Sequence, residues 1–546
     1  MNDASRAQVR AAAPNISTWL SANAGSGKTR VLTDRVARLL LEGVAPERIL
    51  CLTYTKAAAM EMQNRLFQRL GQWAMLDDGA LRSTLGDVGV TGMSDEVLRQ
   101  ARTLFARAIE APGGLKIQTI HSFCSSVLRR FPLEAGVSPG FTEIDERVQR
   151  RLIADLLDRM ADDPADQGAI DGLAAHLSDD DGLMALATRV AGQAEKLSDP
   201  WDWPAICGWA GIDPGLTARD ILDRVILGGE ADMAARVTPH LDPEGRSTAK
   251  AHMALSRVTW DSPGLADLEM LEDAFLTGKD AKAPFTAKVD AIGNAGVRKA
   301  IGGDMDPLNA LMVRVEAARH LRLALVTARR TAALHQFAAA FLPAYRSAKS
   351  ARGWLDFDDL IGATRKLLTA PGVAQWVLFR LDGGIDHILV DEAQDTSPEQ
   401  WEIVKQLAED FAAGEGARAD VRRTIFVVGD KKQSIYSFQG ADPAGFDRMR
   451  DLFAERLEQV NMPFQSKELV YSFRSSPTIL RLVDAVASGA GEPGVGPGVQ
   501  HKAFHGEMPG RVDLWPLIES EKEKPEQVAW DDPQDIVSSD HHSNLL

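Results

Sequence analysis

In the first 135 residues, short apolar runs alternate with longer stretches whose apolar residues recur at helical spacing. Thr18–Leu20 predicts a strand and Ser21–Gly27 a loop. Val31, Leu32, Val36, Leu39 and Leu40 then form the apolar face of a helix from about Thr29 to Glu42, closed by Gly43. Ile49–Tyr54 reads as a second strand feeding a helix from Lys56 to about Leu70. Leu115–Ile117 reads as a third, feeding a helix over His121–Phe131. Strand–loop–helix units in series predict a parallel α/β sheet. From about 145 to 350 only helical periodicity remains, and strands return at His387–Val390, Thr424–Val428 and Lys467–Tyr471. The simplest architecture is one α/β domain interrupted by a large all-helical insertion. Trp201, Trp203, Trp209 and Trp260 fall in that insertion, where core packing is the expected role. Ser488–Gly498 holds five Gly and two Pro in eleven residues, the composition of a loop or linker.

Composition narrows this picture. A chain of 546 residues, 45% hydrophobic and 25% charged, is long enough for several domains and unlike a disordered protein. No apolar run is long enough to cross a bilayer, and the N-terminal MNDASRAQVR lacks a signal-peptide pattern, so a cytoplasmic location is expected. Cys51, Cys124 and Cys207 are far apart, which excludes a disulfide scaffold and gives no zinc or iron–sulfur signature. The net charge of −16 argues against nucleic acid only until it is mapped. Residues 151–200 carry eleven acids against four bases, and 519–540 carry eight against two. Residues 1–70, by contrast, carry ten bases against five acids. Nucleic acid therefore stays open as a partner.

The chemistry concentrates at strand ends. Ala22-Asn23-Ala24-Gly25-Ser26-Gly27-Lys28-Thr29, followed by Arg30, fits the phosphate-binding P-loop with Ala22 in place of its first Gly. Backbone N–H groups and the helix start can cradle a polyphosphate, with Lys28 on the β/γ-phosphates and the Thr29 hydroxyl on Mg²⁺. The plain alternative is a Gly-rich strand–helix connection with an exposed lysine. Farther on, His387–Val390 ends in Asp391 and Glu392, a carboxylate for Mg²⁺ and one to activate water. After the next strand, Gln433 is placed to sense a γ-phosphate or attacking water. Tyr436 and Phe438, two apart, would project to one side of an extended segment as a stacking platform for unpaired bases, or pack in a core. Asp356, Asp358 and Asp359 suggest a helix start, with Asp356 as the cap, rather than a metal site.

Together these blocks resemble the UvrD/Rep-type superfamily 1 helicases, and within them the AddA-type helicase–nuclease subunits. The matching segments are Gln8 with Pro14, ANAGSGKT, LTYTKAAAMEM, QTIHSFC, ILVDEAQDTSPEQW, VVGDKKQSIYSFQGADP and YSFRSSPTIL, in family order. The resemblance implies a RecA-like P-loop NTPase sheet with a large all-helical insertion and the start of a second RecA-like domain. It implies ATP and Mg²⁺, with Gln8 on adenine, Phe473 stacking on the base, and Arg474 stabilising charge on the γ-phosphate. Gln433 would couple phosphate state to DNA contacts. Tyr54, Thr55 and Lys56, with His121, Ser122 and Phe123, would track single-stranded DNA. Gln439 stands where UvrD-like members usually carry Arg.

On this reading residues 1–145 and 351–460 form the first RecA-like domain, 146–350 the insertion, and 461–546 the beginning of the second. The expected function is ATP-dependent 3′–5′ unwinding of duplex DNA ends in double-strand-break repair, with an AddB-like partner. The chain should be about half of such a protein, lacking most of the second motor domain and the nuclease. A non-catalytic DNA-binding remnant and an unrelated P-loop NTPase are the competing readings.

Overall fold

The computed structural model describes residues 2–111, 114–177, 180–382, 384–412, 421–434, 440–489 and 501–515. Its strands are β1 (Ser17–Ala22), β2 (Ile49–Thr53), β3 (Lys116–Thr119), β4 (Thr142–Glu143), β5 (Trp354–Leu355), β6 (His387–Val390), β7 (Thr424–Gly429), β8 (Phe464–Leu469), β9 (Tyr471–Ser472) and β10 (Lys502–Ala503). Six of them form one parallel sheet in the order β3-β2-β6-β7-β1-β8. Tyr436, Phe438 and Gln439 lie outside the described residues, as does the 519–540 acidic stretch.

The chain divides into two compact units, Gly140–Asp359 and the remainder. In the remainder, both faces of the sheet are covered, as expected for parallel strands that are apolar on both sides. On one face Leu20, Cys51, Leu389, Phe426 and Val428 pack with Val31, Leu32 and Val36 of the helix Lys28–Leu41 and with Met62, Leu66 and Leu70 of the helix Lys56–Met75. On the other, Trp19 stacks on Trp401 at 5.8 Å and contacts Phe446 at 5.0 Å. Helix starts follow the local chemistry. Thr55 and Thr119 cap the helices that leave β2 and β3, accepting from the N–H of Ala58 and Ser122. Ser397 and Gln400 form a reciprocal capping box on the helix Pro398–Leu407.

One strand falls differently from the sequence expectation. β8, which the sequence reading assigns to the opening of a second motor domain, runs along β1 from Ser17↔Phe464 to Ala22↔Leu469 and is an edge of the first sheet. Four of its six residues, FQSKEL, are polar, and Ser466–Glu468 are exposed, as an edge strand allows. Past β8, among the described residues, β9 and β10 form a separate parallel pair, with Tyr471 opposite Lys502.

The unit Gly140–Asp359 is helical apart from β4 and β5, which pair and bring the two ends of the insertion together. Its longest helix, Met305–Ser350, has 46 residues and an ideal length of about 69 Å. Two clusters share this helix. Leu308, Leu311, Met312, Val315 and Leu325 serve one, and Phe337, Phe341, Leu342 and Tyr345 the other. Arg322 holds buried Glu272 through two bonds, Nε–Oε1 at 2.6 Å and the second guanidinium nitrogen to Oε2 at 2.8 Å. Asp356 acts as the expected cap, accepting from the Asp359 N–H at 2.9 Å, while Lys349 donates to Asp356 and Asp359 at 2.6 and 2.5 Å. Trp203 and Trp260 pack partly buried against the first cluster, whereas Trp201 and Trp209 are exposed.

Candidate functional site

The sheet order leads the chain to the same place repeatedly. β1, β6 and β7 all end at one side, and open crevices at the carboxyl ends of parallel strands are where such sheets bind ligands. There the structure forms a pocket of about 560 Å³ lined by Ala24, Gly25, Ser26, Gly27, Lys28, Thr29, Arg30, Glu61, Arg65, Glu392, Gln433, Phe473 and Arg474. Segments more than 360 residues apart in sequence therefore share one cavity.

The loop after β1 depends on two left-handed glycines. Gly25 has φ +73° and Gly27 φ +86°. A Cβ at Gly25 would lie 2.7 Å from that of Arg474, and one at Gly27 would lie 2.6 Å from the Gln8 amide nitrogen. The loop thus lies against both the N-terminal helix Asp3–Ala11 and the segment after β9. Gln8 is buried and donates to the Ser26 carbonyl at 2.9 Å, leaving its Oε1 and the Ser26 hydroxyl without partners among the described residues. The Phe473 N–H donates to the Gly25 carbonyl at 2.8 Å, and the Phe473 ring packs on Phe504 at 4.4 Å. Ala22 and Asn23 are buried at the root of the loop, where the side-chain carbonyl oxygen of Asn23 accepts from Lys432.

Lys28 and Glu392 form an ion pair at 2.9 Å inside the pocket. Glu392 reaches it from a left-handed backbone, φ +49°, a conformation that costs a non-glycine residue on the order of 1–3 kcal/mol and clusters at functional sites. Asp391 does not line the pocket. It is only 8% exposed, behind Glu392, and its Oδ1 accepts the Glu392 N–H at 3.0 Å. Burial first, then the neighbouring Glu392 charge, pushes its pKa up to about 6, while Lys28 opposes the shift. Thr29 lines the pocket at the start of the P-loop helix, and its hydroxyl, like the Asp391 carboxylate, is a hard-oxygen donor of the kind a divalent cation takes.

Gln433 lines the same pocket and donates to Asp430 at 2.5 Å. The other expected contact residues leave β2 and β3. Tyr54 is half-buried, Thr55 and Lys56 are exposed, and His121 and Ser122 are half-buried at the helix start, where Ser122 bonds Thr119 at 2.9 Å. Phe123 differs from the sequence expectation. It is 3% exposed and packs inward from its helix, so it is a core residue and offers no stacking surface.

Three residues escape the sequence reading. Glu61 and Arg65 project into the pocket from the helix Lys56–Met75, paired with each other at 2.5 Å. Their i,i+4 spacing was visible, but it reads as an ordinary surface pair. Gln394 is buried between the ends of β6 and β7, and nothing in its type announces that position.

A parallel sheet with a P-loop after its first strand and an acidic pair at the end of another defines a P-loop protein of the RecA-like class. Residues 1–454 match the UvrD/REP helicase N-terminal domain, and the chain belongs to that family. It is similar to the A-type component of the ATP-dependent helicase/nuclease of Desulforudis audaxviator, 30% identical over 528 residues, covering 87% of this chain and 39% of the relative. The component of the same name in Latilactobacillus sakei is 27% identical over 465 residues, covering 78% of this chain and 48% of the relative. That of Enterococcus faecalis is 26% identical over 511 residues, covering 86% and 37%. The chain thus spans half or less of the length of these relatives.

Proposed function

We propose that this chain is the ATP-binding motor portion of an AddA-type helicase–nuclease, which acts on duplex DNA ends in double-strand-break repair, moves 3′ to 5′ on single-stranded DNA and works with an AddB-like partner. The observation that carries the reading is the single pocket joining the P-loop, the Lys28–Glu392 ion pair, Gln433 and the Phe473–Arg474 segment. The family membership and the similarity to components of helicase/nucleases support the same reading.

Before nucleotide arrives, Lys28 neutralises Glu392. A polyphosphate entering the loop competes for Lys28, and its release from the ion pair frees the Glu392 carboxylate to accept a proton from attacking water. Thr29 and Asp391 would hold Mg²⁺, which when bound offsets phosphate charge. The unpartnered Gln8 Oε1 suits the exocyclic amine of adenine, a donor that guanine lacks at that edge. Phe473 stacks on the base and Arg474 meets the charge that builds on the γ-phosphate. Tyr54, Thr55, Lys56, His121 and Ser122 line the strand ends with hydroxyls, an aromatic and cations suited to a phosphate backbone, and Tyr436 and Phe438 add stacking.

Nucleotide binding and single-stranded-DNA-stimulated ATP hydrolysis test this directly. Lys28→Ala is expected to abolish nucleotide binding. Glu392→Gln is expected to keep binding while lowering turnover by about 10²–10⁴-fold. Equal turnover in wild type and Glu392→Gln would refute the assignment.

A further inference from the structure

The pocket holds two groups that must act together, Glu392 beyond β6 and Gln433 beyond β7, yet no direct bond joins them among the described residues. The Gln394 side chain, 1% exposed, connects them, alongside two other ties of the 430–434 segment: Ser434 Oγ donates to the Gln394 carbonyl at 3.4 Å, and Lys432 donates to Asn23. Its Nε2 donates to Glu392 Oε2 at 2.9 Å and to Asp395 Oδ2 at 3.1 Å. Its Oε1 accepts the Asp430 N–H at 2.8 Å, and Asp430 Oδ2 in turn accepts from Gln433 Nε2 at 2.5 Å. The result is an unbroken hydrogen-bonded series from Lys28 through Glu392, Gln394 and Asp430 to Gln433.

Both amide ends are used, so the side chain has one orientation that satisfies every partner. The fold also reserves space for it. A Cβ added at Gly429 would lie 2.8 Å from Gln394 Oε1, although the Gly429 backbone itself needs no left-handed conformation. The end of β7 is therefore glycine because the Gln394 amide and the Phe446 ring, also 2.8 Å away, occupy the room a side chain would take. An unsatisfied buried amide is costly, so a shift of Glu392 on releasing Lys28 is transmitted rather than absorbed.

We infer that Gln394 is a positioning residue that couples the state of Glu392 to the Gln433 segment, so that nucleotide occupancy is felt at the end of β7. The inference rests on the nucleotide-site reading above. Hydrogen exchange of the full 546-residue chain, with and without Mg²⁺ and a non-hydrolysable ATP analogue, tests it. In the wild type the nucleotide is expected to slow exchange by at least tenfold both at residues 26–30 and at 430–434. In Gln394→Met the protection at 26–30 should remain while that at 430–434 should fall at least threefold, the remainder coming from Gln433 in the pocket and Lys432 on Asn23. Asp430→Ala, which leaves Gln394 bonded to Glu392, should do the same, and the double variant should be no worse than either single change, as expected for members of one series. Nucleotide-induced protection at 430–434 that survives undiminished in either variant overturns the coupling role. Absence of protection at 26–30 in the wild type would instead overturn the nucleotide site itself. Should Gln394→Met not fold, Asp430→Ala carries the decision alone.

Discussion

Asp391 and His387, four residues apart on and just beyond β6, are buried groups whose protonation moves in opposite directions. Burial and Glu392 hold the folded pKa of Asp391 at about 6, above its ordinary value, so the folded state takes up a proton first as pH falls. Its contribution to stability is therefore favourable at low pH and lost as pH rises through about 4 to 6. For His387, burial lowers the pKa to about 4, and the stability it contributes above about 6.5 is lost as pH falls toward 4. Thr424 Oγ1 accepts from Arg35 at 2.9 Å and shares a hydrogen bond with His387 Nδ1 at 2.8 Å. The two effects oppose each other over the same window, and variants separate them. Asp391→Asn should raise the stability of the nucleotide-free chain at pH 7.5, by on the order of 2–3 kcal/mol, with little change at pH 4. Urea unfolding at the two pH values checks this, and an unchanged difference between them would contradict it. In the wild type, Mg²⁺-dependent nucleotide affinity should weaken as pH drops below about 6, when Asp391 is protonated.

At the scale of elements, side chains that bind backbone hold the pieces in register. Arg35, wholly buried, donates to the carbonyls of Ala13 and Ile16 and lies over the Phe426 ring at 5.0 Å, tying the helix Lys28–Leu41 to the entry of β1 and to β7. Arg35→Leu leaves two carbonyls without these donors and should cost roughly 3 kcal/mol, measured by denaturant midpoint. In the insertion, Arg322→Met leaves buried Glu272 with only its longer ion pair to Arg319 at 3.4 Å and should cost about 3 kcal/mol, while adding Glu272→Leu should recover part of the loss. Neither consequence was legible in the sequence. An arginine on a helix face reads as solvated until the fold places a partner beside it. The strands around the P-loop and the acidic pair were legible because short apolar runs end there in a few chemically distinctive residues. β8 was only partly so, since its polar edge residues mask a partner strand over 400 residues away. Phe123 was misread because an aromatic in a motif does not reveal which way its helix turns it.

For the molecule as a whole, the site is confined to one end of one sheet, and the β9–β10 pair adjoins it through Phe473 and Arg474. This 546-residue chain alone is expected to bind ATP weakly and to unwind little or no duplex, because among the described residues the surface that can close on the P-loop is the small β9–β10 pair. A strand-displacement assay checks it, and robust unwinding that is lost in Lys28→Ala would contradict it. The architecture of sheet, insertion and sheet again was legible from periodicity alone. The assembly of the pocket was legible only as a series of motifs. Their meeting depends on strand order, which periodicity does not encode.

That strand order has a consequence during synthesis. β1 is among the first segments made, but both of its neighbours, β7 and β8, lie about 400 residues downstream. At ribosomal speeds of about 5–20 residues per second, β1 waits roughly 20–80 s with both edges unpaired while the whole insertion is translated. Exposed strand edges are templates for pairing with other chains. The nascent protein therefore passes through a long interval in which β1 is an unpaired, aggregation-prone strand, and its yield in the cell should depend on chaperones that shield that strand until the end of β8 emerges.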